Sequence, residues 1–136
     1  AKTMGIYLFK TQQIPDLIIS STALRAKTTA QIAKKFGNWN SDFILDNNIY
    51  HCSVDKLLVI VSKQDPKMDF LCIVGHQPIF SNFLSEITGS SWVKLPTASM
   101  VRIDLLVKNW KEVKFGAGVL SWIKKPKELM PFKSSI

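Results

Sequence analysis

The chain has 136 residues, 46% of them hydrophobic and 21% charged, and its formal net charge is +8 at pH 7. This length predicts a single domain over residues 1–136, with enough apolar side chains for a core that needs neither disulfides nor metals. No apolar run approaches the roughly 20 residues that span a membrane, and no signal-peptide pattern opens the sequence. We therefore expect no membrane partner and a cytoplasmic location.

The cysteines and the basic clusters indicate which metals, cofactors and macromolecular partners are expected. Cys72 lies in the apolar run 70–74 and Cys52 lies close to Tyr50 in the sequence, which predicts reduced thiols instead of a disulfide framework. Two cysteines alone cannot make a zinc site. We expect no metal and no cofactor. The basic clusters at 34–35 and 124–127 contain no interleaved aromatic residues, which favours solvated surfaces and predicts no nucleic-acid partner. The positive charge is consistent with a phosphorylated or acidic substrate, although charge alone does not choose it.

The first third of the chain is predicted to be helix, strand and helix. Residues 1–13 carry apolar side chains at helical spacing and have no capping residue in front, as in a helix entered part-way. Residues 16–20 form a continuous apolar run, which is typical of a central, parallel strand covered on both faces. Residues 23–36 repeat small and apolar side chains with a helical period and stop at Gly37, which predicts a well-bounded helix.

The alternation of strand and helix continues beyond residue 40. In chain order we predict strand 43–45, helix 54–63, strand 70–74, helix 79–88, and two paired strands, 100–106 and 115–123. Ser53 can cap the first of these helices, and Gly89 closes the second. The Lys/Pro-rich end is predicted to be a surface tail.

Repeated strand–helix units with short loops predict an α/β fold, namely a three-layer α/β/α sandwich with a mostly parallel central sheet. Such sheets bind ligands at the carboxyl ends of their strands. Arg25 follows strand 16–20 by a few residues, and His76 follows strand 70–74 directly. We therefore expect their side chains to converge on one crevice.

Arg25 and His76 are the candidate catalytic and phosphate-binding residues. Arg25 lies in the first turn of a predicted helix, where free N–H groups and the positive end of the helix dipole attract an anion. His76 follows Gly75 and precedes Pro78 in a loop suited to ligand contact. The alternatives are an ordinary exposed helix arginine and a structural loop histidine.

Two segments, in this order, resemble the histidine phosphatase (phosphoglycerate mutase-like) superfamily. They are Ser-Ser-Thr-Ala-Leu-Arg-Ala-Lys-Thr-Thr-Ala at 20–30 and Val-Gly-His-Gln-Pro at 74–78. The short length, the Leu-Pro-Thr-Ala turn at 95–98 and the later Lys-Pro-Lys-Glu-Leu are similar to those of SixA-type phosphohistidine phosphatases. The resemblance covers nearly the whole chain.

The resemblance implies a phosphoglycerate mutase-like fold and hydrolysis of phosphoryl groups from histidine in a partner protein. It implies that Arg25 and His76 bind the phosphoryl oxygens. It also implies a covalent phosphohistidine intermediate on a histidine in an Arg-His-Gly motif, at the end of the family's first strand. Residues 1–136 contain no such motif. We therefore expect this strand to be missing and the chain alone to be inactive.

The sequence departs from the family pattern at several positions. Thr22 and Thr28 stand where the family usually has Pro and Gln, and His51 stands where an acidic residue often follows the matched tyrosine. No carboxylate is an obvious proton donor to a leaving group, which favours phosphohistidine, because imidazole leaves with less acid assistance than an alkoxide. The alternative function is a noncatalytic phosphate- or phosphoprotein-binding module that has lost the nucleophile.

Overall fold

The computed structural model describes residues 1–125 and Glu128. Within these residues the helices are α1 (Lys2–Lys10), α2 (Leu24–Phe36), α3 (Val54–Ser62) and α4 (Ile79–Thr88). The strands are β1 (Leu17–Ser20), β2 (Asp42–Leu45), β3 (Leu71–Val74), β4 (Met100–Leu105) and β5 (Gly118–Lys124). Each element falls within a few residues of its predicted bounds. The predicted tail lies largely outside the described residues.

The strands form two sheets. β1 is the centre of a parallel three-stranded sheet with the order β2-β1-β3, which confirms the prediction for residues 16–20. β4 and β5 form a separate antiparallel pair, with an irregularity between Arg102 and Ile103. The predicted α/β fold with a parallel central sheet is confirmed. Among the described residues the structure differs from this prediction in one respect, because β4 and β5 are not hydrogen-bonded to the parallel sheet.

Helices cover both faces of the parallel sheet and create the predicted three layers. The first core cluster joins α1, α2 and β1 through Leu8, Ile18, Ala30, Ala33 and Trp39. The second core cluster joins α3 and α4 through Val61, Ile87 and Val113. Along β3 the side chains alternate between the clusters, with Cys72 and Val74 against the first and Leu71 and Ile73 against the second.

Local chemistry accounts for the helix ends. The Ser53 Oγ accepts a hydrogen bond of 3.1 Å from the backbone N–H of Lys56, so the predicted cap of α3 is confirmed. Gly89 ends α4 in the left-handed conformation, with φ of 67°. α1 ends three residues before its predicted limit, because Gln12 has a φ of 58° and cannot continue a right-handed helix.

α1 and α2 approach each other closely at Gly5. This residue is buried, and a Cβ placed on it would lie 2.2 Å from the backbone oxygen of Ala33. The indole N–H of Trp39 donates a hydrogen bond of 3.1 Å to the Gly5 carbonyl oxygen. Only a residue without a side chain lets the two helices pack at this distance.

The structure bears on two predictions from the sequence, one about membrane-spanning segments and one about the state of the cysteines. Among the described residues, no helix is both long and apolar enough to cross a membrane. Cys52 and Cys72 are free thiols, as predicted. Burial raises the pKa of the Cys72 thiol to about 12. Burial also raises the pKa of Cys52, and the nearby Lys56 ammonium partly offsets this effect.

These pKa values predict unequal thiol reactivity. At pH 8, a thiol with a pKa of about 12 holds only about one thiolate in 10⁴ molecules, and the thiolate is the reactive form. We expect a maleimide at pH 8 to modify Cys52 in the folded protein and Cys72 only after unfolding, as measured by mass spectrometry. A Cys52→Ser variant isolates Cys72. Rapid labelling of folded Cys52→Ser protein would contradict the assigned environment.

Candidate functional site

The site lies at the carboxyl ends of β1 and β3. The last residues of these strands, Ser20 and Val74, are register partners, and the next backbone N–H, that of Ser21, donates a 2.9 Å hydrogen bond to the Val74 oxygen. Because the strands are parallel and adjacent, the loops that follow them leave the sheet at the same edge. The loop after β1 leads into Arg25, in the first turn of α2, and the loop after β3 carries His76.

A buried serine fixes His76. The His76 Nε2 lies 2.9 Å from the Oγ of Ser21, which has no exposed surface. The same Oγ accepts a hydrogen bond of 3.2 Å from the backbone N–H of Ala23. The Ser21 hydroxyl therefore ties the imidazole to the turn that opens α2. The imidazole is half-buried, and its ring centre lies 5.6 Å from that of Tyr50.

The backbone around His76 is held by its neighbours. A Cβ on Gly75 would lie 2.8 Å from the Phe80 ring and 3.0 Å from the Ile49 side chain, so a larger residue there would have to displace the Phe80 ring. The Gln77 side chain accepts from the backbone N–H of Ser81 at 3.0 Å and donates to the Leu95 carbonyl oxygen at 3.1 Å. The loop is thus attached to both α4 and the turn that precedes β4.

Arg25 is the second residue of α2 and its side chain is exposed. The N-cap residue of this helix is Ala23, whose side chain cannot accept a hydrogen bond from the first turn. The N–H groups of that turn and the guanidinium together form a cationic, hydrogen-bond-donating surface. Such a surface suits a tetrahedral oxyanion.

A cavity of about 710 Å³ opens beside the site, and its lining includes Arg25, Gly75, Thr97 and Ser99. Ser99 is held in the turn before β4, where its Oγ donates a hydrogen bond of 2.6 Å to the Pro96 oxygen. Arg25, in the first turn of α2, and His76, in the loop after β3, thus lie at the same edge of the sheet; Arg25 lines the cavity and His76 contacts Ser21. Sequence reasoning did not single out Ser21, although its place directly after an apolar strand was an available signal.

No protein-family model and no curated protein matches the sequence. Solved structures do match the fold. The protein histidine phosphatase SixA, solved in complex with tungstate, has a TM-score of 0.80 at 17% sequence identity, covering 94% of this chain and 80% of that one.

Two further solved structures are similar. SixA from Agrobacterium tumefaciens has a TM-score of 0.76 at 21% identity, covering 92% of this chain and 77% of that one. SixA from Nakamurella multipartitia has a TM-score of 0.70 at 14% identity, covering 93% of this chain and 80% of that one. The chain therefore shares the three-layer α/β fold of these structures. Its fold is that of the SixA phosphohistidine phosphatases, as the two sequence segments predicted.

Proposed function

We propose that this domain is a phosphohistidine phosphatase that removes phosphoryl groups from histidine in a partner protein. The observation that carries the proposal is the hydrogen bond between His76 and Ser21, because it ties the histidine loop to the turn that leads into Arg25. A guanidinium and an imidazole at one sheet edge can bind the same phosphoryl group. The similarity to SixA structures, one of them holding the oxyanion tungstate, supports this assignment.

Phosphoryl transfer needs charge stabilisation more than covalent chemistry from the binding residues. The three equatorial phosphoryl oxygens carry the negative charge of the transition state, and fixed cationic donors stabilise it without reorganising. In the proposed site, Arg25 donates two N–H groups to these oxygens. In the proposed site, His76 donates through Nδ1, the ring nitrogen that does not contact Ser21.

The proposed reaction has two displacement steps. A nucleophilic histidine nitrogen bonds to phosphorus while the phosphorus–nitrogen bond to the substrate histidine breaks, and the departing imidazole takes up, through water, the proton that the attacking histidine loses. A water molecule then attacks the new phosphohistidine and releases inorganic phosphate and the free histidine. The loops at 20–28, 74–78 and 95–99 contain no Asp or Glu, which suits imidazole as the leaving group.

The nucleophile is assigned to a segment outside residues 1–136. The sequence contains His51 and His76 only, and neither lies in an Arg-His-Gly motif. His51 is exposed and packs edge-on against Tyr50, with ring centres 4.3 Å apart. The lack of an Arg-His-Gly motif in residues 1–136 also favours a second candidate function. This function is a noncatalytic module that binds phosphate or phosphoprotein through Arg25 and His76.

One experiment separates the two functions. The 136-residue chain is compared with the same chain extended at its N-terminus by an apolar strand ending in Arg-His-Gly, and with a control extension ending in Arg-Ala-Gly. We expect hydrolysis of a phosphohistidine protein at least 10³-fold above background only with the Arg-His-Gly extension. The extended enzyme should also become labelled with an acid-labile phosphoryl group during turnover.

Each of the other outcomes either distinguishes the two candidate functions or excludes both. If no version hydrolyses phosphohistidine but all bind inorganic phosphate, the domain is a binding module. If the unextended chain is as active as the extended one, the nucleophile lies within residues 1–136. If no version binds inorganic phosphate, both candidate functions are wrong.

A further inference from the structure

The segment that follows β2 forms a further wall of the candidate site. The backbone N–H of Asp46, directly after β2, donates a 2.8 Å hydrogen bond to the oxygen of Ser20, the last residue of β1. The Thr22 hydroxyl, in the turn before α2, donates a 2.9 Å hydrogen bond to the Asn47 Oδ1. Residues 46–51, which we call the β2 loop, are therefore fixed at the same sheet edge as the loops after β1 and β3.

One side chain of the β2 loop anchors it, and the next one faces the surface. Ile49 is fully buried, and its side chain would lie 3.0 Å from a Cβ placed on Gly75. Tyr50 has 44% of its surface exposed, and its ring centre lies 5.6 Å from that of His76. The Tyr50 ring is therefore held at the surface, directly beside the histidine that we assign to phosphate binding.

The Tyr50 ring already packs against two imidazoles. It is tilted by 60° to the His76 ring, and it meets the exposed His51 ring edge-on with ring centres 4.3 Å apart. Tilted and edge-on pairs are the arrangements that aromatic rings prefer, because the positive edge of one ring meets the negative face of the other. Nearly half of the Tyr50 surface is still uncovered, so the ring has room for a further flat partner.

A phosphohistidine side chain has two parts that need different surroundings. The phosphoryl group needs charged hydrogen-bond donors, which Arg25 and His76 supply whatever group the phosphorus is attached to. The attached imidazole is flat and needs an aromatic surface. When the phosphoryl group accepts a hydrogen bond from the His76 Nδ1, the attached ring lies one bond beyond phosphorus, within reach of the neighbouring Tyr50 ring.

We propose that Tyr50 determines the specificity of this site, because its ring packs against the imidazole to which the phosphoryl group is attached. The site thereby selects phosphorylated aromatic rings over phosphorylated alkyl amines and alcohols, which offer no ring to Tyr50. This inference rests on the proposed function, since it takes the phosphoryl group to bind at Arg25 and His76. It does not require the nucleophile, so binding to the 136-residue chain tests it without turnover.

The test compares two stable anions that share a phosphonate group. Pyrazol-4-ylphosphonate carries a flat five-membered ring in place of the imidazole, and methylphosphonate carries no ring. We expect the chain to bind the pyrazole compound about five- to tenfold more tightly by isothermal titration calorimetry, which is the effect that one aromatic pair supports. A ratio of one between the two dissociation constants would overturn the proposal.

Variants assign this preference to Tyr50. Tyr50→Leu keeps an apolar side chain but removes the ring, and it should lower the ratio of affinities to less than about twofold, whereas Tyr50→Phe should retain it. The matched control is Phe36→Leu, because Phe36 is also 44% exposed but lies at the opposite end of α2 from Arg25. Any indirect effect on the phosphonate contacts cancels in the ratio. A ratio that is unchanged in Tyr50→Leu, with folding established by circular dichroism, would contradict the role of Tyr50.

Proton NMR locates the bound ring. Tyr7 and Tyr50 are the two tyrosines of the chain. We expect nuclear Overhauser effects between the pyrazole C–H protons and the Tyr50 ring, identified by the loss of the Tyr50 signals in Tyr50→Phe. Contacts to the Tyr7 ring alone would place the ligand on α1 and overturn the assignment.

The same measurements separate a failure of this inference from a failure of the proposed function. If inorganic phosphate and both phosphonates bind with equal affinity, Tyr50 does not recognise the attached ring, and the assignment of phosphate binding to Arg25 and His76 is unaffected. If none of the three anions binds, the proposed function and the role of Tyr50 are both wrong.

Discussion

Arg25→Ala is expected to weaken the binding of inorganic phosphate by about 10- to 100-fold. Charge-assisted hydrogen bonds from a guanidinium contribute about 1.5–3 kcal/mol each to stability or binding, and one such bond in this range accounts for the change. The exposed position of Arg25 sets the lower end of the range, since water screens the charge. Isothermal titration calorimetry or phosphorus NMR measures the dissociation constant.

Two further variants distinguish a direct contact between Arg25 and phosphate from a general effect of net charge. Arg25→Lys retains the charge but loses the paired donors, so it should recover only part of the affinity. Lys35→Ala removes one positive charge at the opposite end of the same helix and should change the affinity less than twofold. If Arg25→Ala and Lys35→Ala weaken binding equally, the effect comes from net charge and Arg25 has no direct contact with phosphate.

Gly5→Ala is expected to lower the free energy of unfolding by about 3 kcal/mol, the upper end of what overpacking a core costs. The new Cβ would lie 2.2 Å from the Ala33 oxygen, and that oxygen belongs to the α2 backbone and cannot rotate away. The helices must separate, which also disturbs the Trp39 hydrogen bond to the Gly5 oxygen. This cost outweighs the gain of about 1 kcal/mol that alanine normally brings to a helix.

Urea unfolding followed by circular dichroism measures the Gly5 effect. Thr3→Ala, two residues earlier in α1, is the control and should change the free energy of unfolding by no more than about 0.5 kcal/mol. A stability of Gly5→Ala equal to that of the parent would mean that α1 and α2 are farther apart than described.

Much of the fold follows from local patterns in the sequence. The apolar run at 16–20 predicted a central parallel strand and the structure has β1 at the centre of its sheet. Ser53 predicted the start of α3, and Gly89 predicted the end of α4. These signals are reliable because capping, helix termination and burial on two faces each act over a few neighbouring residues.

One part of the candidate site could be predicted from the sequence, and another part could not. Strand order places the loops of Arg25 and His76 at one edge, and the alternation of elements was enough to predict that. The hydrogen bond between Ser21 and His76 joins residues 55 positions apart, and no local pattern indicates it. The same holds for the close packing of the Phe80 and Ile49 side chains against Gly75, which no local pattern indicates.

The sequence by itself determined the class of fold, the order of its elements and the two loops that carry the candidate residues, because these depend on short-range periodicity and turn chemistry. Only the tertiary structure decided the hydrogen bond between Ser21 and His76 and the contact at Gly5. Those features depend on distances between segments far apart in the chain, which local sequence patterns do not encode.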